Sequence, residues 1–275
     1  MVVGETNLQR NERLFGDKHP VAFVTGSVAR VGRCVAEHLL DQGFRLAFHA
    51  HQQSNAAVQF IDRLQVAGRE CMLLTGSVEE ETSVSNWLEQ VVERFDRVDV
   101  LVNSAAIWDP IPLEETQAAD FRKFFEVNSL GTALTCQHFG LHMTRQPWGG
   151  AIVNLGDWAV RRPYRDFSAY FSSKAVVETL TQSMAVELAT RNPNVRVNAV
   201  MPGPVMLADG ISDARRERII AESLLKREGS ADDVAQAVLF LATSPFVTGV
   251  CLPVDGGRTI YAGPAADPVA HPHAE

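Results

Sequence analysis

The chain has 275 residues, 46% of them hydrophobic and 21% charged, with a formal net charge of −8. That is enough chain for one sizeable core and short for two domains. The acidic balance leaves no basic footprint for nucleic acid, and no apolar run approaches the ~20 residues of a membrane-spanning helix. Met1 to Lys18 is polar and lacks a charged-then-apolar secretory pattern. Cys34, Cys71, Cys136 and Cys251 are scattered, with no Cys-x-x-Cys pair. They read as reduced, mostly buried thiols of a cytoplasmic chain. His271-Pro272-His273 reads as a frayed end, so no metal is expected.

Apolar, β-branched runs alternate with amphipathic stretches. In chain order the predicted strands are Val21–Thr25, Leu46–His49, Glu70–Leu74, Val98–Val102, Ala151–Leu155, Arg196–Val200 and Cys251–Val254. Several are nearly continuous in apolar residues, as strands buried on both faces should be. The predicted helices are Val31–Gln42, Val58–Ala67, Val84–Phe95, Phe121–Arg145, Ala169–Thr190 and Ala231–Ala242. Strand–helix repetition of this kind predicts an α/β fold: a doubly wound parallel sheet of about seven strands with helices on both faces. Residues 1–18 and 263–275 read as tails flanking one domain over 19–262. Pro202 to Arg227 is rich in Gly, Pro and charge before it turns helical, as a substrate lid beyond a strand end would be.

Chemistry-bearing residues gather where strands end. The first strand runs into Thr25-Gly26-Ser27-Val28-Ala29-Arg30-Val31-Gly32, and a helix follows. A glycine-bearing turn feeding a helix N-terminus is an anion site. Gly26 permits the turn, and Gly32 permits close approach of helix and cofactor. The second strand ends Phe48-His49-Ala50-His51-Gln52, without the acidic residue that binds a ribose 2′-hydroxyl. Arg30, His49, His51, Gln52 and Ser54 could instead contact a 2′-phosphate, which favours NADPH. The fourth strand ends Asn103-Ser104-Ala105-Ala106, where small residues let a dinucleotide cross and Asn103 could hold the turn. Tyr170 and Lys174 lie four residues apart, one helical turn, on one face. A fixed ammonium there would lower the phenol's pKa and fit it for proton transfer near neutral pH.

In order and spacing these residues resemble the short-chain dehydrogenase/reductase family from about Val21 to Tyr261. Asn128, Pro202-Gly203 and Val254-Asp255-Gly256-Gly257 add to the match. The resemblance implies a Rossmann-type fold, an NADP(H) site that also uses Val31, Ser77, Val78, Ala105, Lys174, Pro202, Gly203 and Val205, and a homotetramer. Within the family the chain is most similar to the pteridine reductases and their dihydromonapterin reductase relatives. Arg30 stands where most members have a second loop glycine. Asp157, thirteen residues before Tyr170 (170 − 157), stands where most have a catalytic serine. Trp108 stands where the subfamily has an aromatic that stacks on the pterin. There are departures: Gly76 replaces a common Asp, Gln52 an Arg, and Ala106 a Ser.

An ionised aspartate would repel a developing alkoxide. Asp157 therefore suits a C=N substrate whose ring nitrogen takes a proton. Its alternative role is to cap the loop before Tyr170. The resemblance gives Asn128 the task of kinking its helix and supporting a water chain to Lys174. Trp108, Asp157 and Tyr170 are the expected substrate contacts, with Trp108 alternatively a rim residue on Pro110 or Pro112. The expected activity is NADPH-dependent reduction of a dihydropteridine (dihydrobiopterin, dihydromonapterin or dihydrofolate). Two alternatives stand beside it: a carbonyl or 3-oxoacyl reductase, and a non-catalytic NADP(H)-sensing protein.

Overall fold

The computed structural model describes residues 4–207 and 210–261. The His271–His273 stretch and the expected C-terminal tail lie outside them. Seven strands, β1 (Val21–Val24), β2 (Arg45–Ala50), β3 (Cys71–Thr75), β4 (Val100–Asn103), β5 (Gly150–Leu155), β6 (Val195–Pro202) and β7 (Cys251–Val254), form one sheet in the order β3-β2-β1-β4-β5-β6-β7. Every neighbouring pair is parallel. The order reverses between β1 and β4, and such a switch point opens a crevice at the strands' carboxyl ends.

Successive side chains leave a strand on opposite faces, so each strand feeds two cores. Ala22, Val24, Leu46 and Phe48 meet α2 (Arg30–Asp41), α3 (Asn55–Val66) and α9 (Ala231–Thr243) on one face. Val21, Phe23, Ala47 and Leu101 meet α4 (Glu81–Phe95), α6 (Gly131–Met143) and α7 (Ser168–Ala189) on the other. The strand and helix expectations are met within a few residues, and the fold is the expected doubly wound α/β sheet.

The segment expected to be an N-terminal tail is instead partly helical. Helix α1 (Asn7–Phe15) starts at a Thr6–Gln9 capping box and ends at Gly16 in the left-handed region. Its Phe15 is 2% exposed and meets Phe44 edge-on at 5.8 Å. Asn11 is buried and donates to the Gln42 carbonyl at 2.9 Å. Arg97 donates to the Phe15 carbonyl and grips Asp99 with two bonds of 2.6 and 2.7 Å. Apolar burial and buried polar bonds together hold α1 against the domain.

Two further features shape the crevice. The long predicted helix over 121–145 is α5 (Ala118–Phe124), a π-helical turn (Phe125–Leu130) and α6 in sequence. Beyond β6, the lid segment carries α8 (Asp213–Ala221).

Candidate active site

Helix α2 begins without a side-chain cap, because Ala29 has none to give, whereas Ser54, Ser212 and Ser230 cap α3, α8 and α9. The first-turn N–H groups of α2 are thus left open, as a bound phosphate requires. Gly26 sits at φ 63°, and a Cβ there would lie 2.9 Å from Ala105 Cα. Thr25 Oγ1 accepts from the Ser104 and Ala105 amides at 3.0 Å each, closing the β1 turn against the β4 turn. The cradle fits a dinucleotide pyrophosphate. Gly32 allows a different approach from the expected one: its Cβ would lie 2.4 Å from the Gly26 carbonyl oxygen, so it lets helix meet loop. Arg30 holds φ 51°, a costly value for a non-glycine residue, and donates to the Met206 carbonyl at 3.1 Å, tying the loop to the lid.

His49 is corrected from phosphate ligand to scaffold. It is buried, accepts from the Gly26 amide at Nδ1 (3.0 Å) and donates from Nε2 to the Gly76 carbonyl (3.1 Å). Burial pushes its pKa down to about 4, so the ring stays neutral and links two loops of the cofactor cradle. His51 and Gln52 are exposed, and Ser77 Oγ lies 3.4 Å from His51 Nδ1, so these residues cluster at the β2 end of the crevice. Val78 is buried under Gly131, where a Cβ would lie 2.5 Å from it.

Asn103 is also corrected. Its side chain does not hold its own turn. It donates to Asn154 (2.9 Å) and accepts from Thr135 (2.7 Å) inside the core. Pro202 ends β6, and Gly203 donates to the Val254 carbonyl at 2.9 Å. A Cβ on Gly203 would strike Asp255 Cα at 2.5 Å, so this glycine brings the β6 and β7 ends together. Gly203 and Val205 line the cleft.

At the reaction end, Tyr170 Oη donates to Asp157 Oδ2 at 2.7 Å. Asp157 Oδ1 accepts from the Ala159 amide at 2.7 Å and so caps the short helical turn Trp158–Arg161. The capping role of Asp157 is thus met on Oδ1, while Oδ2 faces Tyr170. Burial raises the Asp157 pKa against the Ala159, Tyr170 and Lys174 contributions. Tyr170 rises well above the ordinary phenol value, through burial first and then the Asp157 charge. This is the reverse of the shift expected from Lys174. The reason is geometric: Lys174 Nζ donates to the Leu155 carbonyl at 2.8 Å, and burial brings its pKa down to about 8.

Asn128 lies in the π-helical turn, which is the expected kink. Its side chain accepts from the Ile107 amide (2.9 Å) and donates to the Ile107 carbonyl (3.1 Å) and Ser173 Oγ (3.0 Å). Fully engaged there, it is a clamp on the β4 loop that carries Trp108. Trp108 is 47% exposed and stacks on Phe167 at 4.9 Å and 24°.

Trp108 and Asp157 line a cleft of about 1730 Å³ with Arg30, Arg162, Arg165, Arg215, Arg218 and Arg258, against the acids Asp157, Asp166 and Glu222, and Tyr170 is joined to it through its bond to Asp157. Arg258 pairs with Glu222 and lies over the Trp158 ring at 4.7 Å. Apart from Arg30, these arginines escaped the sequence reading, since they come from three distant stretches. The local signals were the Arg161-Arg162 pair ahead of Arg165 and the Arg215-Arg216 pair ahead of Arg218.

Residues 27–259 match the profile of the family described as Enoyl-(Acyl carrier protein) reductase. The NADPH-dependent aldehyde reductase-like protein, chloroplastic, of Arabidopsis thaliana is 34% identical over 86% of this chain and 93% of its own. The 3-oxoacyl-[acyl-carrier-protein] reductase of Bos taurus is 34% identical over 86% and 97%. Among solved structures, one provisionally described as a gluconate dehydrogenase of Agrobacterium tumefaciens superposes with a TM-score of 0.81. It is 26% identical and covers 90% of this chain and 97% of its own. With this fold, a nicotinamide-type cradle and a Tyr–Lys helix at the strand ends, the chain is an oxidoreductase and belongs to the short-chain dehydrogenase/reductase family.

Proposed function

We propose that the protein reduces the C=N bond of a dihydropteridine-type substrate, with NADPH as cofactor. The observation that carries this reading is the 2.7 Å bond from Tyr170 to a partly buried Asp157 whose pKa is raised. A carboxyl that keeps its proton can pass it on, and a basic ring nitrogen is a fitting acceptor. Bound NADPH supplies the hydride. Tyr170 Oη and Asp157 Oδ2 hold the proton for the substrate nitrogen. Lys174, anchored on Leu155, places a buried positive charge beside them. The half-exposed Trp108 offers an aromatic face to a flat ring. Arg30, His51 and Gln52 support NADPH, since none of them would repel a 2′-phosphate.

A second reading is reduction of a carbonyl on an acidic or carrier-linked substrate. The names of the aldehyde and 3-oxoacyl reductase relatives favour it. So does the cleft, with six arginines against three acids in a chain of net charge −8. NADPH oxidation with dihydrobiopterin, dihydromonapterin and dihydrofolate, run beside a panel of ketones and 3-oxoacyl thioesters, separates the two. Turnover of dihydropterins is the expected result. Turnover confined to carbonyl compounds overturns the pteridine reading. The homotetramer belongs to the same proposal: the resemblance implies pairing through the helices predicted over Phe121–Arg145 and Ala169–Thr190, and Phe125, Leu130 and Val186 are exposed apolar residues within these stretches. Elution as a monomer on size exclusion would contradict it.

A further inference from the structure

Away from the cleft, α2 packs along α9, and one contact between them is polar. Cys34 and His38 lie four residues apart on α2, so one turn brings them to the same face. Asp232, in the first turn of α9, meets them. The Cys34 thiol donates to Asp232 Oδ1 at 3.2 Å, and His38 Nε2 lies 3.6 Å from that same oxygen. One donor atom from each residue lies within 4.8 Å of the other two, the one such trio among the described residues.

His38 Nδ1 lies 3.0 Å from the Cys34 carbonyl oxygen. A carbonyl only accepts, so Nδ1 carries the ring proton and Nε2 keeps its lone pair. In the neutral ring, that lone pair and a carboxylate oxygen face each other with no proton between them. A cation would satisfy both.

We propose that Cys34, His38 and Asp232 form a binding site for a divalent metal of the zinc class, with water as fourth ligand, clamping α2 to α9. Zinc bonds of about 2.3 Å to sulfur and about 2.0–2.1 Å to nitrogen and oxygen put tetrahedral ligand pairs about 3.3–3.6 Å apart. The 3.2 and 3.6 Å separations fall close to those edges. The Nδ1–carbonyl bond is the outer-shell contact that orients a metal-bound imidazole. A thiol and an imidazole among three donors select zinc or its neighbours over magnesium and calcium, which prefer all-oxygen sites. As metal enters, the Cys34 S–H bond breaks, a metal–sulfur bond forms and the proton leaves to solvent.

The test is titration of the full-length protein with cobalt(II), a spectroscopic stand-in for zinc. The expected result is a thiolate-to-cobalt charge-transfer band and intense tetrahedral d–d bands that saturate at one equivalent and are bleached by zinc. Cys34→Ser removes the charge-transfer band. His38→Gln and Asp232→Asn, both changes at partly exposed groups, weaken cobalt binding by about ten-fold or more. Retained NADPH binding by every variant shows that each has folded. Absence of a charge-transfer band in the wild type overturns the proposal, as does an unchanged band in Cys34→Ser. So does cobalt affinity that His38→Gln and Asp232→Asn leave intact, because the pair would then be only a surface contact.

Discussion

Asp157 divides its two oxygens between structure and chemistry, and that division makes its neighbours' roles testable. Oδ1 holds the Ala159 amide and Oδ2 holds the Tyr170 phenol. Tyr170→Phe should lower kcat by about 10²- to 10⁴-fold while NADPH binding, followed by fluorescence, stays near wild type. The pH profile follows from the signs. Asp157 has a raised pKa and donates only while protonated, so kcat/KM for a dihydropterin falls as pH rises through that value. Lys174 is cationic below about 8, so a second falling limb lies there. Asp157→Asn should retain only the limb near 8; a variant profile identical to wild type would rule out the carboxyl as the titrating donor. The Tyr170–Lys174 spacing was legible because helix geometry fixes which side chains share a face. The orientations of His49 and Asn103 were not, although strand alternation held a clue. His49 shares the face of Ala47, and Asn103 that of Leu101, and both faces turn toward α4 and α6.

At the scale of elements, the cofactor cradle is a set of loops held by side chains that never reach its surface. His49 bridges the Gly26 and Gly76 loops as a neutral ring. The sign of its effect on stability is fixed by a folded pKa of about 4 against an ordinary 6.5. As pH falls below 6.5 the unfolded chain takes up a proton that the folded one refuses. Stability is therefore lost between about pH 6.5 and 4, by about 3 kcal/mol from this residue alone. Urea unfolding across that range should show the loss, and His49→Gln should flatten the slope. Helix α1 escaped the sequence reading because its sequence is mostly polar and only Phe15, with the partly buried Leu14, reaches the core. The Thr6-x-x-Gln9 capping box and Gly16 were the signals available. The π-helical turn at Phe125–Leu130 was legible only through the resemblance that gave Asn128 a kink, since the bonds from Asn128 to Ile107 and Ser173 are tertiary.

For the whole molecule, the parallel sheet was legible because buried strands and amphipathic helices repeat with different periods. The arginine-lined cleft was not, because residues 162–165, 215–218 and 258 meet only after the chain has wound through the sheet and back over it. The same winding brings α1 beneath the domain, where Asp99 accepts from both Arg97 and the Val21 amide. Asp99→Ala would leave the buried Arg97 with Asp17, at 3.3 Å, as its remaining acidic partner, and should cost about 3 kcal/mol in urea unfolding, the low end for a broken buried pair. A cost below about 1 kcal/mol, the range of an exposed ion pair, would show that the α1 seat is wet.

The claim on which the account turns is that Asp157, standing where the family it resembles has serine, selects a C=N bond over a C=O bond. The direct measurement is kcat/KM for NADPH-dependent reduction of a dihydropterin and of a ketone, by wild type and by Asp157→Ser. Asp157→Ser is predicted to lose dihydropterin reduction, because a serine hydroxyl is too weak an acid to replace the carboxyl's proton at a ring nitrogen, and to gain on the ketone, because the hydroxyl remains a neutral donor to the developing alkoxide at pH values where the carboxyl ionises. Dihydropterin reduction undiminished in Asp157→Ser, or ketone reduction that wild type already performs better, would contradict it.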